Sequence, residues 1–186
     1  MIKKINNLLI IITLVGSILV LCKSKIDLVN ILKILSIFFT INIGNIIKKY
    51  VYIDDNINHI YIIFIILAHF LGVILNLYNS MMYYDKLVHF LFGFVSSYII
   101  YKLLNKSNIN IIFIVMTLAS FWEIFEYLSS IILNVDPQNV LVTGVNDTMQ
   151  DIIAALFGTL LFCLKIINFK KWQVICAIYK KLLLAY

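Results

Sequence analysis

The 186-residue chain has no arginine and only 9 acidic residues; its positive charge comes from 15 lysines. Only 13% of residues are charged and 63% are hydrophobic. A soluble domain carries about 25% charged residues, so this composition excludes a water-soluble globule. The missing arginines, beside many Ile and Asn residues, reflect an AT-rich gene more than chemistry. The three cysteines, Cys22, Cys163 and Cys176, form no C-x-x-C pair and lie in or beside apolar runs. That excludes a thiol-redox motif and leaves free thiols in packing roles. The one proline, Pro137, falls in a connection between apolar segments. Linkers, repeats, low-complexity tracts, nucleophile motifs, phosphate loops and nucleotide signatures are all lacking.

What is present is apolar length. Mean hydropathy is +1.02, and a span needs about 20 predominantly apolar residues. Six spans are predicted, at 5–22, 28–47, 59–78, 84–104, 109–133 and 147–167, leaving no room for a soluble domain. The expected fold is all-α: a single polytopic membrane helix bundle of about six transmembrane helices plus a basic amphipathic C-terminal helix. Residues 170–186 form that tail, with Trp172, Ile175, Tyr179, Leu182 and Leu183 on one face, and are expected to lie along the membrane surface. The first segment has no small-x-small cleavage pattern before Lys23, and Leu21 spoils a lipoprotein box at Cys22. It is taken as a retained span rather than a signal peptide.

The net charge of +6 does not imply nucleic acid here; it sets orientation. With both termini cytoplasmic, Lys3, Lys4, Lys48, Lys49, Lys102, Lys106, Lys165, Lys170, Lys171, Lys180 and Lys181 lie inside. Lys23, Lys25 and Lys86 lie outside, and Lys33 sits within span two, near enough to its outer end to snorkel. The 134–146 connection is then extracytoplasmic.

Five of the nine acidic residues occupy spans four to six. Asp85 and His89 are four residues apart, as are Asp147 and Asp151; Glu123 and Glu126 are three apart. Such steps bring side chains to one face of a helix. Spans four and six run inward and span five outward, so all six residues are expected in the outer half of the bilayer. Small-residue stripes support close helix approach: Asp85, His89, Gly93 and Ser96 in span four; Ser120, Glu123, Glu126 or Tyr127, and Ser130 in span five; Asp147, Asp151, Ala154 and Gly158 in span six. Blander readings exist. Asp85 and Asp147 are placed to cap helices, His89 and His69 to pack in the bundle, and Glu123, Glu126 and Asp151 to hydrogen-bond structurally. His59, Trp172 and Tyr186 sit at the interface.

Five gathered carboxylates cannot all stay ionised uncompensated, because like charges and burial both disfavour the charged form. Compensation can come from a bound cation, from shared protons, or from Lys86 and Lys33 on the same side. As a divalent-metal site, Asp85, His89, Glu123, Glu126, Asp147 and Asp151 would supply ligands suited to Mn²⁺, Fe²⁺ or Zn²⁺, or to Mg²⁺ without the imidazole.

The succession Asp85-x-x-x-His89-Phe90-x-x-Gly93, Glu123-x-x-Glu126-Tyr127 and Asp147-Thr148-x-x-Asp151, ending at Gly158, resembles the YjdF-like bacterial inner-membrane proteins. That multi-pass family has no assigned function. The resemblance covers roughly His69 to Gly158; Tyr127 departs from the tryptophan more often expected there, and spans one and two match only in hydrophobic character. A looser likeness to VanZ-like membrane proteins rests on Asp85-Lys86-x-x-His89-Phe90 and lacks their later arginine-containing signature. The resemblance implies the bacterial cytoplasmic membrane and suggests that the three acidic motifs belong together.

Two active functions fit these residues. One is a metal-assisted or acid–base catalytic centre, with Glu123, Glu126 and Asp151 as catalytic groups, acting on a lipid or cell-envelope precursor. The other is cation- or proton-coupled transport. A scaffold whose polar cluster only fixes helix packing is the third reading. The inner halves of spans four to six offer little polarity beyond Ser96, Ser97, Thr117 and Thr159, which favours a one-sided site.

Overall fold

In lipid every backbone N–H and C=O must find its partner within the chain, so long apolar runs become helices. The computed structural model describes residues 1–23, 28–104, 107–133 and 145–183, with side chains up to 167 in the last segment. Among the described residues all regular structure is helical. The elements are α1 (Ile2–Cys22), α2 (Leu28–Ile47), α3 (Asp55–Ile65, continued as π-helix over Ile66–Ile74), the one-turn α4 (Leu77–Ser80), α5 (Tyr84–Leu104), α6 (Asn108–Leu133) and α7 (Val145–Leu183). Six of them, counting α3 with its π-helical continuation, are long and apolar enough to cross a membrane. The chain is an all-α polytopic bundle.

The third span is shifted from the predicted 59–78 to Asp55–Ile74. Asp54 caps its start, its carboxylate accepting the Asn56 N–H at 2.7 Å. At the other end the ladder widens to a five-residue step, with Leu75 N–H donating to the Phe70 carbonyl at 2.9 Å. Asn76 then takes a left-handed conformation (φ 61°), which asparagine tolerates better than most residues. The helix stops there, and Tyr78 falls on the separate turn α4.

The last span also differs. No glycine or proline follows Gly158, so nothing in the sequence interrupts the helix. It runs unbroken from Val145 to Leu183 instead of pausing before a separate tail. The side chains expected on the tail's apolar face, from Trp172 to Leu183, and that of Cys176 lie outside the described residues, as do Tyr186 and residues 134–144 of the fifth-to-sixth connection. Cys22 and Cys163 are free thiols, the second buried.

Four apolar clusters organise the described part of the bundle, one of them Leu21, Ile37 and Ile74 between α1, α2 and the end of the π-helical segment. Ile10, Ile41, Ile62 and Ile65 join α1, α2 and α3. Ala68, Tyr84 and Val88 fasten the π-helical segment to α5. Ile100, Ile111, Val115, Phe162 and Cys163 bind α5, α6 and α7 at the end farther from Asp85.

The closest approach is between α5 and α7. A Cβ at Gly93 would run into the Ala155 carbonyl oxygen, and one at Gly158 into that of Phe90. Glycine at both positions lets the two backbones touch. The small-residue stripes are therefore real, but their register is off by one. Ser97 and Ala155 are fully buried, where Ser96 and Ala154 were expected. On α6 the buried row is Ile111, Val115, Ala119 and Glu123, while Ser120 and Tyr127 face outward. Each row advances by four residues rather than three, as an i, i+4 ridge does on a helix surface.

Candidate functional site

α5 and α7 begin at the same end of the bundle and run side by side, with α6 against them. Asn108, at the start of α6, donates to the Cys163 carbonyl deep in α7 at 3.4 Å. Fifteen residues on, Glu123 has reached the beginning of α7, where it meets the Thr148 side chain. The first two turns of α5 and α7 and the middle of α6 thus converge.

Lys86 holds the centre. Its ammonium lies 3.1 Å from Asp85 Oδ2, 2.5 Å from Asp147 Oδ1 and 2.7 Å from Asp151 Oδ1. An ammonium has three N–H donors, and three aspartates from two helices use them. Asp85 and Asp147, placed to cap their helices, therefore turn toward this lysine. The compensating charge comes from Lys86, and Lys33 forms no ion pair with the cluster.

His89 lies one turn below Asp85, amid three carboxylates and bonded to none of them. Its Nε2 is 3.6 Å from Asp85 Oδ1 and 3.9 Å from Asp151 Oδ1, and its Nδ1 is 3.8 Å from Glu123 Oε1. Those gaps exceed hydrogen-bond length and suit a bridging water or ion. Burial deepens along the group, from a side chain 30% exposed at Asp85 to 4% at Asp151. Access is therefore from the end where α5 and α7 begin.

Below the cluster the way is shut. Gly93 and Ala155 meet backbone to backbone. The Ser97 and Thr159 hydroxyls are spent on nearby carbonyls, Ser97 on Gly93 at 2.6 Å and Thr159 on Ala155 at 2.9 Å. The apolar cluster around Ile111, Val115 and Phe162 follows.

Of the six residues singled out by sequence, Asp85, His89, Glu123, Asp147 and Asp151 are linked through Lys86 and His89. Glu126 is not. A three-residue step rotates it about 60° from Glu123 around α6, and its carboxylate accepts the Trp122 indole N–H at 2.7 Å. Trp122 in turn stands edge-on to His69 on the π-helical segment, with ring centroids 6.2 Å apart. His69 therefore packs against α6 and takes no part in the Lys86 ring. Sequence reasoning passed over Trp122, although its four-residue spacing from Glu126 is a readable signal. It also missed Tyr78 on α4, whose phenol is pushed above its ordinary value by burial and by the charges of Asp85 and Glu126. No local pattern pointed to that.

Asp85, His89 and Asp151 offer one ligand atom each within 4.8 Å of one another. Ligands about 2.0–2.2 Å from one ion lie at most about 4.4 Å apart, so these three need only a small contraction to hold one. The Lys86 ammonium already sits on two of the same carboxylates, and an ion would have to displace it.

No solved structure matches this chain. An uncharacterized protein of Thermotoga maritima is 32% identical over 98 residues, which are 47% of this chain and 50% of that protein. The chain therefore matches only half the length of that curated relative. The family model described as "Predicted membrane protein (DUF2238)" matches residues 5–171, and the chain belongs to that family.

Proposed function

We propose that this chain, as a YjdF-like member of its family, carries an outward-opening acid–base site at the membrane boundary, acting on the polar part of a lipid or cell-envelope precursor. The observation that carries this reading is one-sidedness. Charged groups from three helices converge at one end of the bundle, and directly below them α5 and α7 meet backbone to backbone. A transport path would have to cross that seam, so the geometry favours chemistry at the boundary over passage through it.

In this reading Asp151 and Glu123, the most buried carboxylates, exchange protons with the substrate through His89. Lys86 orients the aspartates and offers positive charge to an anionic headgroup. Glu126, anchored by Trp122, supports the α6 side. A second reading, a divalent ion on Asp85, His89 and Asp151, is favoured by their mutual reach. Such an ion would polarise a substrate oxygen or activate water.

The test compares lipid and envelope-precursor profiles, by mass spectrometry, of cells making wild-type protein, Glu123→Gln or Asp151→Asn at matched folded levels. Wild type should alter a headgroup-bearing species and both variants should leave it unaltered. Identical profiles, together with cation flux in proteoliposomes that requires Asp151, would replace catalysis with transport.

A further inference from the structure

A second polar site lies at the opposite end of the molecule, where α1 begins, α2 ends and α3 begins. Three segments that should be meeting lipid headgroups there enclose a cavity of about 250 Å³. Its floor is unusual for a membrane bundle. Asn6 and Asn58 are each 2% exposed, and a buried amide is costly unless it is held. Asn6 is held at both ends, donating to the Asp55 carbonyl at 3.2 Å and facing His59 Nδ1 at 2.6 Å, while the Asn58 amide donates to Asn45 Oδ1 at 3.0 Å and leaves its own buried oxygen without a partner among the described residues. His59 is thus part of a fixed network rather than a free interfacial ring.

The walls carry donors. Lys3, Asn7, Lys48 and Tyr52 line the cavity. Lys48 is paired with Asp55 at 2.5 Å, whereas Lys3 forms no ion pair among the described residues. Two ammonium groups against one carboxylate leave the cavity net positive. Its volume is below the ~300–1,000 Å³ of pockets for drug-sized ligands, which points to a headgroup-sized occupant. It also lies at the lysine-rich end of the bundle, and basic pockets between transmembrane helices at such a face bind anionic lipid headgroups.

We propose that this cavity binds the phosphate of an anionic ligand, with Lys3 and Lys48 taking its charge, the asparagine floor setting its depth, and an anionic phospholipid headgroup as the source. Free phosphate shares that chemistry, and the test separates the two. Purified full-length protein in neutral detergent is titrated by calorimetry with short-chain phosphatidylglycerol, short-chain phosphatidylcholine and inorganic phosphate. Phosphatidylglycerol should bind and phosphatidylcholine should not, because its choline cation opposes Lys3 and Lys48.

Lys3→Gln, which breaks no ion pair, should weaken binding about tenfold, the loss of one charge-assisted contact. Lys3→Gln with Lys48→Gln should abolish it. Binding of inorganic phosphate without phosphatidylglycerol, with the same lysine dependence, assigns the cavity to the free anion. Equal binding of both lipids, no binding of any probe, or an unchanged affinity in the double variant overturns the proposal.

Discussion

Lys86 is the residue on which the candidate site turns, and its role shows where residue-level reading stops. The four-residue spacings of Asp85 with His89 and of Asp147 with Asp151 convert directly into shared helix faces, and their convergence was legible. Lys86 was legible only as one of three possible compensations, beside a bound cation and shared protons. A lysine at a span's edge can snorkel to the interface or fold inward, and the carboxylates that decide the matter lie 61 and 65 positions later, at Asp147 and Asp151. Removing this ammonium deprives the buried Asp151 carboxylate of its counter-charge, a change that typically costs about 3–5 kcal/mol. Since Lys86 keeps some solvent contact, Lys86→Gln is expected near the lower figure, about 3 kcal/mol. If the ammonium stands where an ion would bind, Mn²⁺ should restore the unfolding midpoint of Lys86→Gln while moving that of wild type little. At a hundredfold excess over its dissociation constant, a bound ion contributes about 2.7 kcal/mol. A wild-type midpoint that rises as steeply as the variant's would show that lysine and metal do not compete.

At the scale of elements, the seam between α5 and α7 makes the cluster rigid and closes it below. The atoms opposing Gly93 and Gly158 are backbone carbonyls, which cannot rotate aside. Gly93→Ala and Gly158→Ala must therefore push the helices apart, at about 1–3 kcal/mol each, typical of overpacking. Gly16→Ala is the control, because the added methyl meets only the end of the Phe70 ring at 3.2 Å. It should cost less than about 1 kcal/mol, the ring yielding by a small rotation. Thermal unfolding of the three variants decides the point, and equal losses at Gly16 and Gly93 would mean that the seam is no tighter than an ordinary contact. The sequence showed that small residues line these helices, and it named both seam glycines. It did not distinguish Ser97 from Ser96 or Ala155 from Ala154, since 3.6 residues per turn leaves adjacent positions nearly equivalent on a stripe. The π-helical stretch of Ile66–Ile74 and the left-handed Asn76 escaped it altogether. Asparagine in that conformation is a permitted choice rather than a demanded one, and no proline or neighbouring glycine marked the end of the helix.

At the scale of the molecule the two polar sites occupy opposite ends of one bundle, and which compartment each faces depends on orientation. The lysines argue for one answer. Lys3, Lys4, Lys48, Lys49 and Lys102 cluster at the end that holds the Asn6–Asn58 cavity, whereas Lys86 at the acidic end is committed to Asp85, Asp147 and Asp151. The bias counts lysines on each side and not net charge, and the single Lys86 at the acidic end is outnumbered by the five at the other. Six crossings also place both ends of the described chain on one side, with the acidic cluster on the other. A reporter fused after Tyr186 should accordingly report the cytoplasm, and one inserted between Asn134 and Thr143 the external side. The same conclusion is reachable without fusions. In a Cys22→Ser background, which removes the exposed native thiol, a membrane-impermeant thiol reagent applied to intact cells should label a cysteine placed at Tyr83, an exposed residue beside Asp85, and should spare one placed at Tyr52 beside the other cavity. Reversal of both labels would turn the bundle over and move the acid–base site to the cytoplasmic leaflet. Labelling of both positions from outside would break the six-span arrangement itself, and with it the expected placement of the acidic and basic sites on opposite sides of the membrane.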